Sequence, residues 1–190
     1  MSTGIPHATI SATGPLTRAE FLMLLYWFAD TNSVPEVVGI RGLSRLTRLS
    51  LILGEDLGAR RAIEPFFQYY RTPSGGIASP EVWRDLLSLR AYQVLEPVFL
   101  SEPMPPEEID ERRFMLEHQI PAHERVHYPL PTRFERDVLT NKGTFFAAKR
   151  EDQTIQRSIA VYKTAAELNR LSLSELTARA LPLVAELAAR

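Results

Sequence analysis

The chain has 190 residues, of which 45% are hydrophobic and 24% are charged, a composition typical of a globular protein. It has no cysteine, which excludes disulfide bonds and thiolate metal sites. The formal net charge of −1 disfavours a protein that coats nucleic acid without sequence preference, because such proteins carry a clear basic excess. The longest apolar run, Phe21 to Ala29, is too short for a membrane span, and no signal-peptide pattern is present. We therefore expect a cytoplasmic protein with no membrane partner.

Charge is distributed unevenly along the chain. Residues 1–100 carry nine basic and nine acidic side chains, residues 101–136 carry five and eight, and residues 137–190 carry eight and six. The middle of the chain is therefore acidic. Any contact with nucleic acid must come from a local basic patch.

The N-terminal part predicts a tail and a buried helix. Residues 1–16 are small and polar, and we expect a flexible tail. Thr17 and Glu20 match the capping-box pattern T-x-x-E, which predicts a helix to about Asp30. Because residues 21–28 leave almost no polar face, this helix is expected in the core, with an oligomer interface as the alternative.

A second helix and a third follow, with a short aromatic strand and a Gly-Gly turn between them. Apolar residues at helical spacing over Leu43 to Leu57 predict the second helix, with Arg45 and Arg48 on its outer face. Ser79 is a good N-cap for the third helix, and Pro80 suits its first position. A β-prone run follows, from Tyr92 to Leu100. This succession is typical of a helix-turn-helix followed by a wing.

The C-terminal half predicts a long insertion that contains one helix, followed by a short strand and three more helices. We expect a helix over Glu107 to Ile120, a strand at 137–139 and a helix from about Asn141. Helical character resumes over 152–170, and a second capping box at Ser172 opens a terminal helix. The last two helices either pair with a second copy of the chain or pack on the first helix.

Two segments carry a resemblance to a known family. The run from Gly42 to Leu49, GLSRLTRL, resembles the G-x-[TS]-x-L-x-[KR]-L segment of YwgA-like winged-helix proteins, and the run from Val138 to Gly143 resembles an L-T-x-K-G turn common in winged helices. The resemblance covers about residues 40–145. It implies a winged-helix module, commonly a DNA-binding or regulatory one, although some relatives have no known activity.

The sequence therefore predicts a mainly α protein with a small β wing (α+β), a winged helix-turn-helix. We expect the flexible tail at 1–16, a winged-helix domain at 17–150 with a wing insertion at 101–136, and C-terminal helices at 151–190 that form a homodimer. The expected function is non-enzymatic DNA-binding regulation without a cofactor; the alternative is a protein-interaction module, an adaptor or inhibitor, that uses the acidic insertion.

Arginine suits contacts with phosphate and with guanine. The predicted DNA contacts are Arg41, Arg45, Arg48, Arg71, Ser79, Arg84 and Ser88.

One further motif indicates different chemistry. Residues 123–127 read H-E-R-V-H, which matches H-E-x-x-H, the pattern in which two histidines on one helix face hold zinc and the glutamate activates water. Pro121 and Pro129 flank the motif and leave little room for a helix. A zinc hydrolase using His123, Glu124 and His127 is therefore the third hypothesis, and a solvated loop is the favoured interpretation.

Overall fold

Helices predominate over two small antiparallel sheets in the computed structural model, which describes residues 16–31, 39–58, 67–150 and 159–188. The expected class, mainly α with a small β component, is confirmed. Residues 1–15 of the expected tail lie outside the described residues. The elements are α1 (Arg18–Thr31), β1 (Ile40–Arg41), α2 (Gly42–Gly58), β2 (Tyr70–Arg71), β3 (Ile77–Ala78), α3 (Pro80–Ala91), β4 (Leu95–Phe99), α4 (Pro106–Phe114), β5 (Glu135–Leu139), α5 (Asn141–Arg150), α6 (Ile159–Asn169) and α7 (Leu173–Ala188).

The helix starts form as their local sequences dictate. The Thr17 N–H donates to the Glu20 carboxylate at 2.8 Å, and the Glu20 N–H donates to Thr17 Oγ1 at 3.2 Å, so the first capping box is confirmed. Ser172 and Glu175 form the second in the same way. At α3, Ser79 Oγ accepts from the Val82 N–H at 3.3 Å.

The larger sheet has the strand order β1-β5-β4, and the smaller one is the β2–β3 hairpin. Leu100 N–H donates to the Phe134 carbonyl and Thr140 N–H donates to the Val94 carbonyl, so the even-numbered residues of β4 bond to β5. Odd-numbered residues therefore direct their backbone groups to the open edge of β4. Pro97 lies at the centre of that edge and has no N–H to offer there.

The core forms around α1, as its apolar sequence predicts. Phe21 to Tyr26 are all buried, and α6 packs along α1. α7 packs on α2, where Leu176, Ala180 and Val184 are buried with the core. The last two helices thus cover α1 and α2 of the same chain, and the homodimer stays a prediction. None of the helices within the described ranges combines the length and apolarity needed to cross a bilayer.

Candidate functional site

A long insertion joins β4 to β5 and dominates one side of the molecule. It spans residues 100–134, whereas the sequence predicted 101–136, because β5 begins at Glu135. Its first part (residues 100–120) contains α4 and a π-helical turn over Met115–Gln119. Its second part, which we call the arm (residues 121–134), contains a single 3₁₀ turn. The first part carries six acidic and two basic side chains, and the arm carries one acidic and two basic ones.

At the α2–α4 interface, Glu108 caps the N-terminus of α2. Its carboxylate accepts from the Leu43 N–H at 2.8 Å and from the Ser44 N–H at 2.7 Å. A carboxylate at a helix N-terminus satisfies unpaired donors and interacts favourably with the helix dipole. Gly42 makes room for it, since its φ is +73° and a Cβ there would lie 2.8 Å from the Glu108 oxygen. Arg112 donates to the same carboxylate at 2.9 Å.

Glu111, one turn further along α4, pairs with Arg48 in the interior. Arg48 Nη2 lies 2.6 Å from Glu111 Oε1, and their side chains are 1% and 3% exposed. Glu111 also accepts from Ser44 Oγ at 2.5 Å and from the Ile77 N–H at 3.1 Å. Burying two charges is costly unless both are paired and hydrogen-bonded, and these are. The prediction that Arg48 lies on the outer face is therefore wrong, because an insertion carboxylate holds it inside.

Two other predicted contacts are also occupied inside the fold. Arg45 Nη1 donates to the carbonyls of Asn169 at 2.8 Å and Leu171 at 2.7 Å, where α6 ends. Burial and the nearby Arg41 and Arg48 charges lower the pKa of Arg45. Ser79 is fully buried, and its hydroxyl caps α3. Ser79 therefore serves the fold, which corrects the expectation that it faces a ligand, and Arg45, half-buried against the end of α6, stays a predicted contact.

The remaining predicted contacts lie nearer the surface. Arg84 Nε donates to the Tyr128 hydroxyl at 2.9 Å, a bond that raises the pKa of Arg84, and Arg84 Nη2 lies 3.5 Å from Glu124. Arg41 pairs with Glu102 at 3.0 Å. Ser88 Oγ donates to the Arg84 carbonyl, and Arg71 is exposed on β2. Three of the predicted arginines, Arg41, Arg48 and Arg84, thus each pair with a different glutamate of the insertion.

The α3–arm interface is built on Trp83. The Tyr128 ring meets Trp83 edge-on, with centroids 5.2 Å apart, and the Arg112 guanidinium lies 5.0 Å from the Trp83 ring. A groove of about 290 Å³ remains between α3 and the arm. Leu87 and Phe99 line it on one side and the Pro129 to Pro131 segment on the other.

α3 is fixed to the sheet by a second ionic cluster. Arg90 Nε lies 2.6 Å from Asp137 Oδ1, and Arg90 Nη2 lies 2.7 Å from Glu135 Oε2. Burial acts to lower the pKa of Arg90, but the two carboxylates outweigh it and raise that pKa overall. Burial also raises the pKa of Asp137. This cluster ties α3 to β5, and two of its members, Arg90 and Glu135, also line the groove.

The H-E-x-x-H segment does not form the helix that zinc binding requires. Residues 122–124 form a turn and residues 125–127 a single 3₁₀ turn, with Pro121 and Pro129 on either side. His123 and His127 are exposed. In the described parts of the chain, no group of three or more His, Asp or Glu side chains is placed to hold a metal ion. The solvated-loop interpretation fits these residues.

No protein-family model, curated protein or solved structure matches this chain. The resemblance to YwgA-like proteins stays a prediction.

Sequence reasoning did not find the residues that organise this side of the molecule. The sequence predicts a helix over Glu107 to Ile120 but assigns no role to its acidic residues, of which Glu108 and Glu111 point inward. Their spacing with Arg112 (i, i+3, i+4) places all three on one helix face, and this was the available signal. Tyr128 and Phe99 carried no local pattern that would single them out.

Proposed function

We propose that this chain is a non-enzymatic winged-helix module that binds a protein partner through the groove between α3 and the arm. The element order supports the scaffold: α2 and α3 precede the β4–β5 hairpin, and β1 pairs with β5 on the other side. The β2–β3 hairpin lengthens the connection between α2 and α3 well beyond the three or four residues of a simple helix-turn-helix. The insertion then covers the side of α3 that bears Trp83 and Arg84.

The observation that carries this proposal is the pairing of three arginines, one on β1, one on α2 and one on α3, with glutamates of the insertion. Arg41 pairs with Glu102, Arg48 with Glu111 and Arg84 with Glu124. A DNA duplex would have to displace these carboxylates before its phosphates could be contacted, and the chain offers no net positive charge to drive that exchange. Beside these pairs lies a groove with exposed apolar side chains, Phe99 and Leu130, of the kind that mark interaction surfaces.

Site-specific photo-crosslinking tests the proposal. A benzoylphenylalanine placed at Leu130, in the groove, is expected to crosslink one defined protein in lysate of the source organism, and the Phe99→Ala variant is expected to abolish that crosslink. The same probe at Phe145, an exposed position on α5, is the matched control and should give no such product.

Titration of a labelled 30-base-pair duplex at low and high salt tests DNA binding directly. We expect no saturable binding at micromolar protein. Tight binding that weakens steeply with salt and is lost in Arg84→Ala would overturn the proposal in favour of DNA regulation. Identical crosslinking from positions 130 and 145 would also count against it.

A further inference from the structure

The groove between α3 and the arm offers apolar contact area that the chain itself leaves open. Four large apolar side chains are exposed among the described residues. Two of them, Val126 and Leu130, lie on the arm, and a third, Phe99, lies at the end of β4 opposite Glu135, the residue that follows the arm. Phe99 is 55% exposed and Leu130 is 46% exposed, and both line the groove. Clustered exposed apolar groups of this kind mark interaction surfaces in globular proteins.

The size of the groove selects the kind of occupant. Its volume of about 290 Å³ lies at the lower limit for a small-molecule pocket, which is roughly 300 Å³. A groove of this size accepts one or two anchoring side chains of a peptide. The open edge of β4 does not favour a peptide that adds a long strand, since Pro97 removes its central donor.

The charged side chains that line the groove, Arg90, Arg112 and Glu135, are paired within the fold, and Arg133 is exposed beside Phe99. Arg133 lies over the Phe99 ring at 5.3 Å, and Arg84 is 51% exposed on α3, one turn before Leu87. The acidic groups nearby are engaged: Glu135 is held by Arg90 and Glu108 by Arg112. Glu124, 37% exposed, is the one acidic residue of the arm and lies 3.5 Å from Arg84. Glu96 points away, because it and Phe99 lie on opposite faces of β4.

We infer that the groove binds an acidic, amphipathic peptide segment of a partner protein. An apolar or aromatic side chain inserts between Leu87, Phe99 and Leu130, and a flanking Asp or Glu residue pairs with Arg133, which is exposed over the Phe99 ring. The inference rests on the proposed function and adds the chemistry of the partner. Charge complementarity at the rim then sets orientation and the rate of association, and the apolar anchor supplies most of the affinity.

Selection from a displayed library of random 12-residue peptides tests this inference. We expect enriched sequences with an excess of Asp and Glu around a Trp, Phe or Leu. Their binding should weaken at least tenfold in Phe99→Ala and in Arg133→Glu. The matched control is Phe145→Ala, which removes an equally exposed Phe that also has a cation, Lys149, over its ring; it should change binding less than twofold. Because these positions are exposed, the variants should keep the wild-type melting temperature.

Each other outcome overturns the inference and distinguishes it from the proposed function. Enriched peptides that are neutral or basic but still depend on Phe99 would contradict the acidic chemistry and leave a protein-binding groove in place. If no peptide is enriched, or if Phe99→Ala and Phe145→Ala weaken peptide binding equally, the groove is not the binding site. Displacement of the enriched peptides by a 30-base-pair duplex would assign the same surface to nucleic acid.

Discussion

The insertion contacts the helices at two interfaces, and each interface contains an ion pair between an arginine and a glutamate. One of these pairs is buried and the other is exposed to solvent. At the α2–α4 interface, Arg48 and Glu111 are 2.6 Å apart and almost wholly buried. At the α3–arm interface, Arg84 and Glu124 are 3.5 Å apart, and solvent reaches both. A buried pair is strongly destabilising to break, whereas an exposed pair contributes little. The first part of the insertion is therefore held by a buried ion pair, whereas the arm buries Tyr128 against Trp83 and leaves its own ion pair in solvent.

The largest effect is expected from breaking the buried interface. Glu111→Gln leaves the Arg48 guanidinium buried without an opposing charge, and we expect the free energy of unfolding to fall by about 3–5 kcal/mol. Urea denaturation followed by circular dichroism measures this loss. Glu117→Gln, an exposed change in the same segment, is the control and should have almost no effect. A loss below about 1 kcal/mol for Glu111→Gln would remove the distinction between the two interfaces.

An intermediate effect is expected at Asp85, on the α1 side of α3. Asp85 Oδ2 lies 3.2 Å from Arg18 Nε, and burial raises the pKa of Asp85 from 3.8 to about 6, partly offset by Arg18. The folded protein thus holds this proton more tightly than the unfolded chain does. The resulting stabilisation is complete below pH 3.8 and is lost as the pH rises through about 6.

The Asp85→Asn variant should therefore gain stability relative to wild type between pH 4 and pH 7, by up to about 3 kcal/mol. Urea denaturation at several pH values measures the difference. Asp110→Asn, at an exposed position of α4, provides the control and should follow the wild-type profile. A constant difference between Asp85→Asn and wild type across this range would contradict the raised pKa.

A smaller effect is expected at the arm. Tyr128→Phe keeps the ring against Trp83 and removes the oxygen that accepts from Arg84, so we expect a loss of about 1 kcal/mol in unfolding free energy. Because Arg84 is half exposed, water replaces part of the lost bond. Tyr70→Phe removes an exposed hydroxyl contact with Gln68 and should cost less. A loss as large as that of Glu111→Gln would mean that the arm is as integral to the fold as α4.

The smallest effect is expected at Arg41 and Glu102, which pair at 3.0 Å with both side chains about half exposed. Glu102→Gln should lower stability by no more than about 0.5 kcal/mol, since exposed pairs gain little and are screened by salt. The difference in unfolding free energy between Glu102→Gln and wild type should vanish at about 0.5 M salt, because the Debye length is then only a few ångströms. A difference that persists at high salt would contradict the surface character of this pair.

The parts of the fold that the sequence predicts are those whose signals are local. Thr17 with Glu20 and Ser172 with Glu175 lie three residues apart, and each pair forms as its spacing indicates. Arg48 and Glu111, in contrast, are separated by 63 residues, and nothing in the neighbourhood of Arg48 indicates a distant carboxylate. An arginine that faces water and an arginine that faces a buried glutamate have the same local pattern. For this reason the helices could be predicted and the roles of their arginines could not.

The proline at the centre of β4 affects whether two copies of this chain can pair through their exposed strand edges. An unpaired strand edge invites the same edge of a neighbouring molecule to join it, which is how soluble domains begin to polymerise. Pro97 interrupts the row of donors that such growth would need. The chain therefore exposes an apolar side chain, Phe99, on a strand whose open edge lacks the central donor that edge-to-edge pairing would use.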